Sequence, residues 1–369
     1  MNYWAVKEQN AERARRRTEE FEANFTPSMN YALVSTTVYG GKDQKPAGNP
    51  FTNICREFEV VQMSTTEAIY ELGHNNCIAL NFASYKNPGG AYLNGSCAQE
   101  ESLCHESWLY NILARFPSYY DWNKKNLNRG LYKDRALYTP DVHFNDGERS
   151  AIADILTCAA PNRSIITKGY TNFTEEENYK VLHDRMLFMS KICSLKEKDT
   201  LILGAWGCGV FKQDPAVVAK LIHHTTWRGV KKIVLAVIDK PTYGIFKKEF
   251  EEPMSEIVYV IYDVKDGKSK TDENIVAIVD NDEDFVRFLM LHKDEYPIKE
   301  GCAETFESIW KKLVLGGDGP DVFADCFDGI AVSKLHINVD YSFDPKSTCK
   351  EINYLAKKAG IGHLEEPVR

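Results

Sequence analysis

The sequence predicts an α/β protein with a central sheet of buried parallel strands and helices on both faces. Three observations lead there. Short, nearly continuous apolar runs recur at 77–83 (CIALNFA), 155–160, 200–203 and 232–238, as expected of strands covered on both faces. Segments free of Gly and Pro, with apolar residues at helical spacing, alternate with these runs. Two glycine-rich loops, 88–96 and 204–211, each follow a strand and precede a helix, which is where ligands bind in such sheets.

Taken in order, 5–23 reads as a charged helix and 58–63 as a short strand. A short helix follows over 65–72, with Ser64 or Thr65 as its N-cap. After the 77–83 strand and its glycine loop, Leu109, Ile112 and Leu113 carry helical spacing, and the spacing predicts one helix over 98–115. The 155–160 strand leads to a long helix over 174–194, opening with three Glu as the positive end of a helix favours. Strand 200–203 enters the second loop, and Asp214-Pro215 supplies an N-cap followed by Pro at the first helical position, with the helix running to His223. Strand 232–238 follows. Beyond it, 256–264 and 274–279 read as strands and 285–292, 305–315 and 347–359 as helices, enough for a small α+β segment. No internal repeat is evident.

A length of 369 residues suggests two or three domains. Hydrophobic residues at 43% and charged residues at 27% fit an ordinary soluble globular protein. The formal charge of −8 argues against non-specific nucleic-acid binding, which needs a broad basic surface. It leaves room for an anionic small ligand, because backbone N–H groups at a loop or helix N-terminus hold anions without a basic patch. The ten cysteines include no C-x-x-C pair, so buried reduced thiols are expected rather than a zinc finger or a redox pair. The N-terminus has no apolar core of signal-peptide type, and no apolar run reaches membrane-span length. The expected location is the cytoplasm, with the nucleus as the other option. The basic cluster from Arg13 to Arg17 is flanked by Glu12, Glu19 and Glu20 and reads as a solvated helix face.

In GAWGCGVF, Gly204, Gly207 and Gly209 free the backbone to turn its N–H groups toward a ligand, and the helix near Asp214 adds its positive end. That suits a diphosphate. The pattern is neither a Rossmann nor a Walker fingerprint, and a tight turn without a ligand fits the spacing equally well. In PGGAYLNGSCAQEE, Gly89 and Gly90 permit close backbone approach, and Gln99, Glu100 and Glu101 stand in the first turn of the next helix. Two acids there ordinarily complement the helix dipole. Adjacent helical residues also point about 100° apart, so both need not face one site.

The run NFASYKNPGGAYLNGSCAQEESLCHES resembles the signature of microbial poly(ADP-ribose) glycohydrolases, in which a glycine triplet precedes Gln-Glu-Glu by a short spacing. The resemblance continues through LYKDRALYTPDV (131–142), CAAPN (158–162), LILGAWGCGVF (201–211) and VLAVID (234–239), covering approximately residues 1–250. It implies a macrodomain-like α/β/α sandwich with a mixed sheet over 1–252, carrying an N-terminal helical extension, and leaves 253–369 as an α+β segment of unknown function. It implies hydrolysis of ribose–ribose bonds in poly(ADP-ribose), releasing ADP-ribose, with no metal and no cofactor. Glu101 is then the catalytic acid, and Glu100 holds the ribose hydroxyls beside the scissile bond. Gly207, Cys208, Gly209 and Val210 form the diphosphate loop, Phe211 packs on the distal ribose, and Asn87, Gly89, Gly90, Ala91 and Gln99 complete the substrate-binding set. The implied partners are ADP-ribose or the polymer on modified proteins; the last third could bind a protein, cover the active site or self-associate. A reader that binds ADP-ribose without cleaving it, and a hydrolase of mono-ADP-ribosylated protein or nucleic acid, are the competing functions.

One position departs from the pattern. Ala91 stands where the family has its third glycine. If that position needs a positive φ or sub-methyl clearance, Ala costs about 1 kcal/mol or more, and Ala91→Gly is expected to raise hydrolysis and tighten binding together. Three further groups attract attention and receive ordinary readings. Cys104-His105-Glu106 are helical neighbours that cannot readily touch. His223-His224 end a helix and are expected to meet its last carbonyls. Asp318, Asp321, Asp325 and Asp328 lack EF-hand spacing and read as a solvated acidic face.

Overall fold

In a computed structural model, the structure describes residues 3–251, apart from positions 25, 50, 51, 53, 54, 56, 74 and 168–172, together with the backbone of three strands beyond 251. The chain divides into two compact units, Met1–Glu251 and Glu252–Arg369.

Two helices open the first unit, α1 (Tyr3–Ala23) and α2 (Pro27–Ser35). Thr26 caps α2 by accepting the Met29 N–H. The sheet then takes β1 (Thr37–Gly40) and β2 (Glu57–Val61), and α3 (Thr65–Leu72) leads to the central strand β3 (Cys77–Phe82). Ser64 caps α3 in a reciprocal box: its Oγ accepts the Glu67 N–H at 3.2 Å, while Glu67 accepts the Ser64 N–H at 2.7 Å. Next come α4 (Gln99–Glu106), α5 (Leu109–Leu113), α6 (Pro117–Lys125), β4 (Arg135–Asn145) and β5 (Ser150–Cys158). After the one-turn α7 (Ser164–Thr167), α8 (Glu175–Cys193) starts from a second capping box, Thr174 with Glu177. Of its three opening acids, Glu177 is thus a capping group as well as a dipole partner. The unit closes with β6 (Thr200–Gly204), α9 (Pro215–His224), β7 (Lys232–Ala236) and α10 (Lys240–Glu251).

The seven strands run in the order β1-β4-β5-β3-β6-β7-β2. The five from β5 to β2 are parallel, while β4 pairs antiparallel with both β5 and β1. The sheet is therefore mixed, as the family resemblance implies and as the expectation of parallel strands alone does not.

Alternation along the strands sends side chains into two cores. Ile78, Leu80, Leu201, Leu203, Ile233 and Leu235 pack with α8, α9 and α10 through Met186, Ile192, Val218, Ile222 and Phe246. Ala79, Ile202 and Val234 face the other way, onto Ala14, Met29, Ala32, Ile69, Leu103 and Leu109 of α1 to α5. Burial of each Leu or Ile contributes roughly 1.5–3 kcal/mol, and both sheet faces need such cover, which gives the α/β/α layering. The N-terminal extension is part of this cover: Ala11 and Ala14 are buried, while Arg13, Arg15 and Arg16 face solvent.

The single helix expected over 98–115 is two. Ser107 lies extended between α4 and α5, at φ −144° and ψ 179°, and forms a bridge to Phe144 of β4. Its hydroxyl donates to the Leu103 carbonyl at 2.7 Å and accepts the Leu109 N–H at 3.1 Å, so it ends one helix and starts the next.

In the second unit the described backbone forms a three-stranded antiparallel sheet, with β8 (Ser255–Asp263) between β9 (Ile275–Val279) and β10 (Ile330–Asn338). The helices expected at 285–292, 305–315 and 347–359, and the acids Asp318, Asp321, Asp325 and Asp328, lie outside the described residues. Among the described residues, Cys77, Cys104, Cys158 and Cys193 are buried free thiols. No helix among these residues is long and apolar enough to cross a membrane.

Candidate active site

Because β3 and β6 are parallel neighbours, the two glycine loops leave the sheet side by side from their carboxyl ends. In the first, Gly89 and Gly90 both have left-handed φ, +61° and +60°. A Cβ on Gly90 would lie 2.5 Å from Glu101 Oε1 and 3.0 Å from Glu100 Oε2. The two acids, on successive helical positions, therefore reach one point beside the turn. The Ala91 N–H donates to Glu101 Oε1 at 2.9 Å.

Glu100 is 4% exposed and Glu101 7%. Glu100 Oε2 accepts the Ser84 N–H at 2.7 Å, and its Oε1 accepts from Asn81 Nδ2 at 3.3 Å. Burial pushes the Glu100 carboxyl up to about 8 despite these donors, and the Glu101 charge pushes the same way. Asn81 is fully buried in β3; its amide nitrogen meets both Glu100 and Thr157 Oγ1, and its Oδ1 has no partner. Turning the amide over brings Oδ1 to the same two neighbours, where it accepts from the Thr157 hydroxyl and from a protonated Glu100. An Asn inside the apolar run CIALNFA is the signal that sequence reasoning passed over, since a buried amide needs partners.

Gln99 has another job from the one expected. Its Oε1 accepts the Phe82 N–H at 2.8 Å, and its Nε2 donates to the Leu80 carbonyl at 2.8 Å and to Thr65 Oγ1 at 3.1 Å. The side chain stitches the first turn of α4 to the end of β3 and so aims the two Glu that follow. Asn87 keeps an exposed side chain, while its backbone closes the turn to Gly90. Ala91 sits at φ −111° and ψ 29°. Negative φ suits an L residue, so the left-handed strain considered for this position is absent.

The second loop is held from below. Gly207, at φ +80°, has Ala160 Cβ and Gln213 Cγ within 3.0 Å of where a Cβ would stand. Gln213 and Asn178 of α8 pair amide to amide at 2.8 and 3.0 Å, and Gln213 also donates to the Pro161 carbonyl. Trp206 Nε1 donates to the Cys158 carbonyl at 3.0 Å. Above these anchors, the N–H groups of Gly209, Val210 and Phe211 meet no protein acceptor among the described residues, and Val210 is 77% exposed. Cys208 is half-buried, and desolvation lifts its thiol to about 12. The positive end of α9 contributes less than its position suggests, because the Asp214 carboxylate already caps it through the Ala216 N–H.

Between the loops lies an aromatic group visible only in three dimensions. Tyr85 and Tyr132 stack at 4.1 Å and 12°, and Phe211 meets Tyr132 edge-on at 6.0 Å. Tyr132 is held at φ +64°, a strained value for an aromatic residue. Buried Arg185 fixes the segment before it, donating to the Leu131 and Ala159 carbonyls.

Residues 7–145 match the family model for the catalytic domain of microbial-type PARG. The solved poly(ADP-ribose) glycohydrolase of Thermomonospora curvata is 28% identical with a TM-score of 0.55; the match covers 66% of this chain and 100% of that one. The same enzyme bound to the inhibitor ADP-HPD gives a TM-score of 0.56 at 28% identity, with the same coverage. The poly(ADP-ribose) glycohydrolase of Deinococcus radiodurans, solved in complex with ADP-ribose, is 30% identical with a TM-score of 0.54, covering 61% of this chain and 98% of that one. This chain belongs to the microbial-type poly(ADP-ribose) glycohydrolase family. Among curated proteins no match was found.

In this family member, the groups set aside at the sequence level behave in two ways. Burial, helped by the Arg13 charge, holds His105 at about 4, and its Nε2 faces the Ser96 carbonyl at 3.3 Å, so it is a neutral packed side chain. His223 departs from expectation: instead of meeting the last carbonyls of α9, it places Nδ1 3.1 Å from Glu249 Oε1 on α10.

Proposed function

We propose that this protein hydrolyses the ribose–ribose glycosidic bonds of poly(ADP-ribose) and releases ADP-ribose, with Glu101 as general acid and then base. The observation that carries the reading is the convergence of two buried carboxyls on one point beside Gly90, in a family whose solved members include one with ADP-ribose bound. Cleavage of such a bond passes through an oxocarbenium-like transition state. The leaving ribose oxygen must receive a proton, and an incoming water must lose one. Glu101, held beside the glycine turn by the Ala91 N–H, is placed to provide both services. Glu101 delivers the proton to the leaving oxygen and, as carboxylate, takes one from the water; Glu100, on the inner side of the pair, accepts the ribose hydroxyls.

Backbone supports this assignment at both loops. The Ala91 N–H fixes Glu101, while the N–H groups of Gly209, Val210 and Phe211 stand ready for a diphosphate. Phe211, backed by Tyr132 and Tyr85, offers an apolar edge for the distal ribose. Negative φ at Ala91 removes the strain that favoured a binding-only reader. Incubation with poly(ADP-ribosyl)ated polymerase, and separately with mono-ADP-ribosylated protein, tests the substrate. Release of free ADP-ribose from the polymer is expected; release from the mono-modified substrate alone would overturn the polymer assignment.

A further inference from the structure

The far end of α9 carries a side-chain cluster that the glycosidase chemistry does not use. We propose that His223, His224 and Glu249 form a binding site for one divalent transition-metal ion of the zinc type. His223 Nδ1 stands 3.1 Å from Glu249 Oε1, and one ligand atom from each of the three residues lies within 4.8 Å of the others. Two ligands about 2.1 Å from a tetrahedral ion are separated by about 3.4 Å, so the His223–Glu249 pair already has nearly the spacing of one coordination edge. His224, which is exposed, has only its own ring to swing.

The fixed half of the site is built. His223 is 5% exposed and lies between Phe58, edge-on at 5.6 Å, and Phe250 at 4.5 Å. Its ring orientation is therefore set by packing before any ion arrives. The site sits on the last turn of α9, the end at which the helix dipole favours a cation. Glu249 adds a full negative charge that offsets Lys220, one turn back. Two imidazoles with one carboxylate select zinc, cobalt, nickel or copper over magnesium and calcium, which prefer all-oxygen shells.

Three protein ligands leave a fourth position for water. Loop 204–213 joins the opposite end of α9, so the ion's role is to tie α9 to α10 rather than to act on the glycosidic bond.

The full chain, stripped with chelator and dialysed, should bind one equivalent of zinc at this cluster, and its melting temperature should rise by a few degrees with zinc and not with magnesium. Cobalt should give visible bands without the near-ultraviolet absorption of a thiolate ligand, which separates this site from the cysteines. His224→Ala alters an exposed side chain and should leave the metal-free melting temperature and ADP-ribose binding unchanged, while weakening zinc by at least about tenfold and abolishing the thermal shift. Glu249→Gln, whose amide oxygen still accepts from His223, should weaken zinc similarly. No zinc-dependent shift in the wild type, a shift that survives both substitutions, or a thiolate band with cobalt would each overturn the proposal.

Discussion

At Gly90 a single methyl group separates two outcomes. The position has φ +60°, and a Cβ there would press on Glu101 Oε1 at 2.5 Å. Gly90→Ala should therefore cost about 1 kcal/mol in stability from backbone strain and, by displacing the carboxyl, lower turnover on the order of a hundredfold, the scale of a lost acid–base group. Next door, Ala91→Gly should do neither. With φ at −111°, the glycine adds only unfolded-state freedom, lowering stability by about 0.4–1 kcal/mol. Steady-state ADP-ribose release and urea midpoints of the two variants check this contrast, which reverses the gain of activity that the sequence alone led us to expect for Ala91→Gly. Glu100 makes a second residue-level prediction. Its folded-state carboxyl is raised to about 8 from the ordinary value of 4.5, so the native state binds its proton more tightly than the unfolded chain. That contribution to stability is fully present below the unfolded value and is lost as pH rises from about 4.5 through about 8. Urea midpoints across this window should fall with pH, and the fall should be shallower in Glu100→Gln; an equal slope in both proteins would contradict the assignment.

Elements were legible where local chemistry and burial agreed. Ser64 and Asp214 announced helix starts as capping residues, and the structure shows the hydrogen bonds they make; the apolar runs of β3, β6 and β7 needed no tertiary information. Strand β4 escaped because Pro140 and Asp141 interrupt its pattern. In the structure they form a bulge between Thr139 and Val142, with Asp141 at φ +51°. The Asp141 N–H, freed from the ladder, donates to Asp154 Oδ1 at 3.0 Å, and the Tyr138 hydroxyl bonds the other oxygen of that carboxylate. Only the partner strand makes this segment a strand. Ser107 misled in the opposite sense, since nothing in its local spacing shows the bridge to Phe144. The glycine loops and paired acids could be named from sequence, but what aims them is non-local: Gln99 on β3, Asn178 on Gln213, Tyr85 on Tyr132. This gives a prediction at the scale of elements. Gln213→Ala leaves the Asn178 amide buried without its partner, which costs about 1–3 kcal/mol, and frees loop 204–213 from α8. Calorimetry should show weaker ADP-ribose binding with the catalytic pair intact; unchanged affinity at lowered stability would show that the anchor serves folding alone.

For the molecule as a whole, the account rests on one geometric consequence of the sheet. Parallel neighbours β3 and β6 bring two glycine loops together, one carrying an acid pair and the other a row of free N–H groups. One ADP-ribose per chain should therefore bind across both loops, and cleavage should depend on proton transfer by Glu101. The substitution Glu101→Gln isolates that dependence. Its amide oxygen can still accept the Ala91 N–H, so shape and ligand affinity should survive, while proton donation is lost. The deciding measurement is the rate of ADP-ribose release from poly(ADP-ribose) chains, wild type against Glu101→Gln, with ADP-ribose affinity determined on the same samples. The account predicts steady release by the wild type, a loss of roughly a hundredfold to ten-thousandfold in the variant, and equal affinity. Near-normal release by Glu101→Gln, or no release by a wild type that binds ADP-ribose, would contradict it.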